Sequence, residues 1–127
     1  MAAIVSFDFD DTLAYPDGTA RSCMLEMVLF HSGRGDECHI VTSRTESHED
    51  EAWIALNQPS RMTVAKFVTK HMLPISSVTF TAHKPKGAAL KKLGAHLHYD
   101  NDRAEVDSAA DHGVVGVLVS VYREDKS

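Results

Sequence analysis

A chain of 127 residues with a formal net charge of −5 has room for one domain, taken as residues 1–127. Its charge gives no general attraction to nucleic acid or to anionic membranes. An apolar content of 43% beside 24% charged residues excludes a disordered polypeptide, and no stretch approaches the roughly 20 apolar residues that span a bilayer. The opening MAAIVSFDFDD brings acid before a secretory apolar segment can form. Cys23 and Cys38 are too few for a disulfide framework and form no CxxC pair, so the reading is a cytoplasmic protein with reduced thiols.

Residues 2–7 are short, β-branched and aromatic and end abruptly in acid, which predicts a buried strand. Tyr15-Pro16-Asp17-Gly18 is turn chemistry, and Thr19 is placed to cap a helix running through about Phe30. In that helix Met24, Leu25, Val28 and Leu29 recur as a core-facing stripe, and Gly33 and Gly35 stop it. Residues 38–41 read as a second strand that ends at Thr42-Ser43-Arg44. Residues 46–56 read as an acidic helix with Trp53 and Leu56 on its buried side. Pro59-Ser60 opens another, whose apolar positions are Met62, Val64, Ala65, Phe67, Val68 and Met72, and Pro74 ends it. A third strand over 77–80, a helix over 86–93 closed by Gly94 and a fourth strand over 95–99 follow. A helix over 103–111 with Gly113 as its terminator, a fifth strand over 114–119 and a polar tail over 123–127 complete the chain. There is no internal repeat.

Strands alternating with helices imply right-handed crossovers and an α/β fold: a parallel sheet of about five strands in three layers, with helices on both faces. Such sheets place ligands beyond the carboxyl ends of their strands. Residues 8–12, 42–44 and 100–102 follow strands one, two and four, and strand three leads into His83, Lys84 and Lys86. These groups are therefore expected to share one rim.

Asp8, Asp10 and Asp11 crowd a strand end, where their mutual repulsion and desolvation cost several kcal/mol without a counter-charge. A hard divalent cation with oxygen ligands resolves the conflict, and Mg2+ is such an ion. An acidic turn at a solvated strand end is the plainer alternative for a lone DxD. Here, however, DFDDTL is joined by VTSR, KPKGAALKKLG and HYDND. These resemble, in order, the four signatures of the haloacid dehalogenase-like phosphatases: DxDxT, an apolar strand ending in Thr or Ser, a helix-opening Lys, and an acidic pair after a strand.

The resemblance covers most of the chain and implies a three-layer Rossmann-like (HAD-like) fold with a magnesium-dependent phosphomonoester hydrolase activity. Asp8 would attack phosphorus and form an aspartyl-phosphate. Asp10 would protonate the leaving oxygen and then deprotonate water. Mg2+ would bind the Asp8 carboxylate, the Asp10 main-chain carbonyl and either Asp100 or Asn101. Thr42 and Ser43 would hold phosphoryl oxygens, Thr12 would shape the loop and support Asp10, and a lysine would offset transferring charge. Lys86 opens a helix and is the first choice for that lysine, with Lys84 as its rival. Asp102 is placed to cap the following helix.

The Ser/Thr-x-Arg ending at Arg44 resembles the phosphatase domain of phage polynucleotide kinase, which implies a planar fork on the substrate phosphate. A helix-start or surface arginine is the alternative. Neither gap between motifs can build a full lid, which implies an uncapped site. Such a site is open to a nucleotide, a nucleic-acid end or a small phosphomonoester, or is closed by a second copy in a homo-oligomer. A receiver-like module would place its acceptor after strand three, where Phe80-Thr81-Ala82 carries no acid. A catalytically silent phosphate- or metal-binding module is the remaining alternative. His96, His98 and Asp100 alternate along one strand and could share a face toward a transition metal. With no second ligand cluster, buried or rim histidines are the favoured reading.

Overall fold

The computed structural model describes residues 2–120. β1 (Ile4–Phe7) lies at the centre of a parallel sheet, paired on one side with β2 (Glu37–Thr42) and on the other with β4 (Leu97–Asp100). β3 (Ile75–Phe80) extends the sheet beyond β2, and β5 (Val115–Leu118) extends it beyond β4, giving the order β3-β2-β1-β4-β5. The chain reverses its direction of travel between β1 and β4. That reversal opens a crevice beyond their carboxyl ends.

Period-two alternation sorts the side chains onto two faces. Val5, Phe7, Cys38, Ile40 and Tyr99 form one core with Met24 and Val28 of α1 (Ser22–Gly33) and with Val64 and Phe67 of α3 (Val64–Lys70). On the other face Val41 packs with Leu90 of α4 (Gly87–Leu93) and Ala109 of α5 (Arg103–Asp111). The expected three-layer, Rossmann-like architecture is present. That second face also buries Ser6, His39 and His98, where apolar residues would ordinarily sit. No helix among the described residues is long and apolar enough to cross a membrane.

Several expected elements shift, each for a local reason. α1 starts at Ser22 and not after Thr19, because Thr19 is engaged by Asp17, whose Oδ1 accepts from its N–H and its hydroxyl. The helix runs on to Gly33, so its buried stripe is Met24, Val28 and His31, and Leu29 faces solvent. His31 is accommodated by Asp36 Oδ2 at 2.8 Å and by the Tyr99 hydroxyl at 2.9 Å.

The acidic helix over 46–56 is divided into a 3-10 turn, Glu46–Glu49, and α2 (Glu51–Asn57). The division comes from Asp50, which accepts from the Ala52 N–H at 2.9 Å and starts a new helix. Leu56 is 85% exposed, against expectation, while Trp53 is half-buried against His48. Pro59-Ser60 opens no helix. α3 begins at Val64, where Thr63 and the Glu49 carboxylate satisfy its first N–H groups. Met72 lies beyond α3 and is exposed. The tail expected over 123–127 lies outside the described residues.

α4 and α5 approach closely at Gly87, where a Cβ would come within 2.5 Å of the Ser108 carbonyl oxygen. Gly33, at the exposed end of α1, has nothing within 4 Å of the same position. Alanine at the two sites is therefore expected to act in opposite directions. Gly87→Ala should cost about 1–3 kcal/mol by overpacking, and Gly33→Ala should add about 0.5–1 kcal/mol, both read by denaturant unfolding.

Candidate active site

At the β1–β4 switch point a cleft of about 320 Å³ opens, lined by Asp8, Asp10, Ser43, Lys86 and Asn101 among others. Asp8 leaves the end of β1, its N–H donating to the Tyr99 carbonyl oxygen at 2.8 Å. The chain then turns through Asp11, held at a φ of 64°. Phe9 and Leu13 are anchored in the core on either side of the turn, and the Leu13 and Ala14 N–H groups donate to the Phe9 carbonyl oxygen. With those apolar side chains inward, Asp8 and Asp10 face the cleft.

Lys86, at the start of α4, is buried and donates to Asp8 Oδ1 at 2.7 Å and to Asp100 Oδ2 at 2.6 Å. Burial alone would lower the pKa of its ammonium, but the two carboxylates outweigh it and raise it. Burial pushes the Asp8 carboxyl up to about 7 although Lys86 opposes it, with Asp100 and Asp10 adding to the rise. Thr12 Oγ1 donates to Asp8 Oδ2 at 3.1 Å, so Thr12 supports Asp8 and not Asp10.

Asp10 sits in a different field. Arg44 grips both its oxygens, Nε to Oδ2 at 2.8 Å and Nη2 to Oδ1 at 2.9 Å, and Arg61 Nη1 reaches Oδ1 at 2.6 Å. Burial favours the neutral acid, but the two guanidinium groups overcome it and hold Asp10 below the usual carboxylate range. Arg44 Nη1 also donates to the Met62 carbonyl oxygen at 2.9 Å, and the guanidinium lies over the Phe9 ring. Its fork is thus on a carboxylate of the site, where the sequence suggested a substrate phosphate.

Of the other expected residues, Ser43 lines the cleft, while Thr42 is buried behind it with its hydroxyl accepting from the Arg44 N–H at 3.2 Å. Lys84 is exposed, and of the two candidate lysines it is Lys86 that stands against Asp8. Asp100 is fully committed. Its Oδ2 accepts from Lys86 and stands 2.8 Å from His98 Nε2, and its Oδ1 accepts from the Asp102 N–H at 3.0 Å. Burial would raise its pKa, and His98 with Lys86 lowers it instead. Asp102 caps α5 through the Ala104 N–H at 2.9 Å.

No group of three or more His, Cys, Asp or Glu side chains suited to a metal ion occurs among the described residues. A different cradle is present. One terminal atom of the Asn101 amide stands 2.7 Å from Asp8 Oδ2 and 3.2 Å from the Asp10 main-chain oxygen. With the amide nitrogen there, it donates to both. With the amide oxygen there, three oxygens converge, the Thr12 hydroxyl donating to Asp8 Oδ2 beside them, a donor set that suits a hard cation. Asn101, rather than Asp100, is the member of the fourth motif whose side chain faces that point.

Arg61 carried no motif and fell within a stretch expected to be helical. It reaches the site because the segment before α3 is a loop tied down by Ser60 Oγ, which donates to the Pro16 carbonyl oxygen at 3.1 Å. His83 and Glu105 also line the cleft. His83 and Ala82 both adopt left-handed backbone conformations, fixed by N–H bonds to the Ser43 and Arg44 carbonyl oxygens.

No family model and no curated protein matches this chain. Among solved structures, the backbone is similar to a chain in the "Structure of the Pnkp1/Rnl/Hen1 RNA repair complex", with a TM-score of 0.68 and 11% sequence identity. The match takes in 94% of this chain and 43% of that one, so this chain spans less than half the length of its structural neighbour. At that identity the likeness is one of fold.

Proposed function

We propose that this chain is a magnesium-dependent phosphomonoester hydrolase of the haloacid dehalogenase-like kind, working through an aspartyl-phosphate on Asp8. The observation that carries the reading is the Asp8 carboxylate itself. It is buried at the switch point with Lys86 on one oxygen and the Asn101 side-chain amide at the other, and Asp10 stands two residues along.

Asp8 Oδ attacks phosphorus as the bond to the leaving oxygen breaks, and Asp10 delivers a proton to that oxygen. Water then attacks phosphorus, Asp10 takes the water's proton, and Asp8 is released with inorganic phosphate. Asp10 begins as an anion between two arginines, so it must shed one partner before it carries a proton. Arg44 is 3% exposed and is also held by the Met62 carbonyl oxygen and the Phe9 ring; Arg61 is 24% exposed and is the freer of the two. Lys86 offsets charge on Asp8 and on the phosphoryl oxygens near it.

Asp8, the Asp10 main-chain oxygen and Asn101 would hold Mg2+. Bound there, the ion would neutralise carboxylate and phosphoryl charge. The open cleft suits a substrate larger than a metabolite. The structural neighbour comes from an RNA repair complex, so a nucleotide or polynucleotide end is the substrate class we favour.

Asp8→Asn is expected to abolish phosphate release from an aryl phosphate in the presence of Mg2+, and Asp10→Asn to lower kcat by roughly 10²- to 10⁴-fold. Wild-type rates in both variants would overturn the mechanism. Chelation should remove the activity and added Mg2+ restore it. A panel of phosphorylated metabolites, nucleotides and 3′- or 5′-phosphorylated oligonucleotides tests the substrate class.

A pH dependence of stability follows from the raised Asp8 pKa. The folded chain keeps a proton on Asp8 up to about 7, whereas the unfolded chain loses it near a pKa of about 3.9. The folded form therefore binds more protons between those values, and stability from this group is lost as pH rises through about 7. In chelator, the melting temperature of Asp8→Asn relative to wild type should rise as pH goes from about 4 to about 7 and level off above that.

A further inference from the structure

His98 has no part in the reaction as drawn, yet it is 0% exposed in the second core face. Its Nε2 stands 2.8 Å from Asp100 Oδ2, and its Nδ1 stands 2.7 Å from Ser6 Oγ. Ser6 is its direct neighbour across the parallel pair of β1 and β4, and is equally buried. Burial holds the imidazole pKa below its usual value in spite of Asp100, so one ring nitrogen carries a proton and the other a lone pair. A carboxylate can only accept, which puts the proton on Nε2. Nδ1 then accepts from the Ser6 hydroxyl. Both ring nitrogens are thereby spent, and no lone pair is left for a transition metal.

The same Asp100 Oδ2 accepts from Lys86 Nζ, which in turn donates to Asp8 Oδ1. An unbroken line of hydrogen bonds thus runs Ser6–His98–Asp100–Lys86–Asp8, from the interior of the sheet to the cleft. A polar pair at adjacent core positions of two central strands contributes less packing than two aliphatic side chains would. Left unsatisfied, each buried member would be destabilising. What the pair does supply is a second donor to Asp100 Oδ2, beside Lys86.

We propose that His98, backed by Ser6, is a positioning residue that locks the Asp100 carboxylate so that it holds the Lys86 ammonium against Asp8. The inference rests on the reading of Asp8 as nucleophile with Lys86 as its counter-charge. Without His98, one lone pair of Asp100 Oδ2 is stranded, the carboxylate can pivot about the Oδ1 that the Asp102 N–H holds, and Lys86 loses its fixed anchor.

The test compares His98→Asn, His98→Gln and His98→Leu by kcat and KM for an aryl phosphate with Mg2+, each at a temperature where circular dichroism shows it folded. The longer glutamine amide reaches Asp100; the asparagine amide stops one bond short. His98→Asn and His98→Leu are expected to lower kcat by roughly 10- to 100-fold with KM within about twofold, and His98→Gln to recover most of the loss. Equal kcat for the Asn and Gln variants, or wild-type kcat in His98→Leu, would overturn the proposal. Should His98→Leu not fold, the near-isosteric Asn and Gln pair decides alone. An inactive wild-type protein, or an Asp8→Asn variant as active as wild type, would instead sink the hydrolase reading.

Discussion

One buried ammonium organises this molecule's upper edge. Lys86 Nζ lies between Asp8 and Asp100, with its side chain 2% exposed and theirs 7% and 1%. It favours the ionised form of both carboxylates, and they in turn raise its own pKa against burial. Three elements meet to make the contact: the end of β1, the end of β4 and the start of α4. The sheet order β3-β2-β1-β4-β5 is what makes the first two neighbours.

The three groups do not balance. Two carboxylates and one ammonium leave a unit of negative charge in a dry place, and burial answers by raising the Asp8 pKa. Around Asp10 the account is reversed, with two guanidinium groups on one carboxylate and its acidity increased. Two aspartates separated by one phenylalanine are thus driven apart in pKa by their surroundings, an arrangement that lets chemically equal groups take different roles.

The fold was legible in the sequence wherever apolar periodicity alone decides it. All five strands were foreseen, and α5 begins and ends where its periodicity and Gly113 place it. The failures gather between Thr45 and Thr63. There Asp50, Glu49 and Thr63 bind backbone N–H groups and cut one expected helix in two while delaying the next. Competition between side chains and the main chain leaves no mark on hydrophobic spacing.

Within the site, Asp8 and Lys86 could be picked out by their places at a strand end and a helix start, and the structure puts them together. The partners of Arg44 could not, because a guanidinium at a strand end reaches either a substrate or a carboxylate, and only distance decides. Arg61 gave no signal, since a loop residue acquires meaning only from what the loop is tied to. His98 was visible as an oddity, but its reason lay on another strand, in Ser6.

α4 begins without a cap of its own. Lys86 stands at its N-cap position with no side-chain bond to the following amides. The open amides are met by the neighbouring helix instead, the Lys86 N–H by Glu105 Oε1 and the Gly87 N–H by Ser108 Oγ, both at 3.0 Å. The two helices are in effect one rigid block, riveted at the junction that carries the ammonium. The corner that carries the ammonium is thereby tied to a second helix as well as to its own.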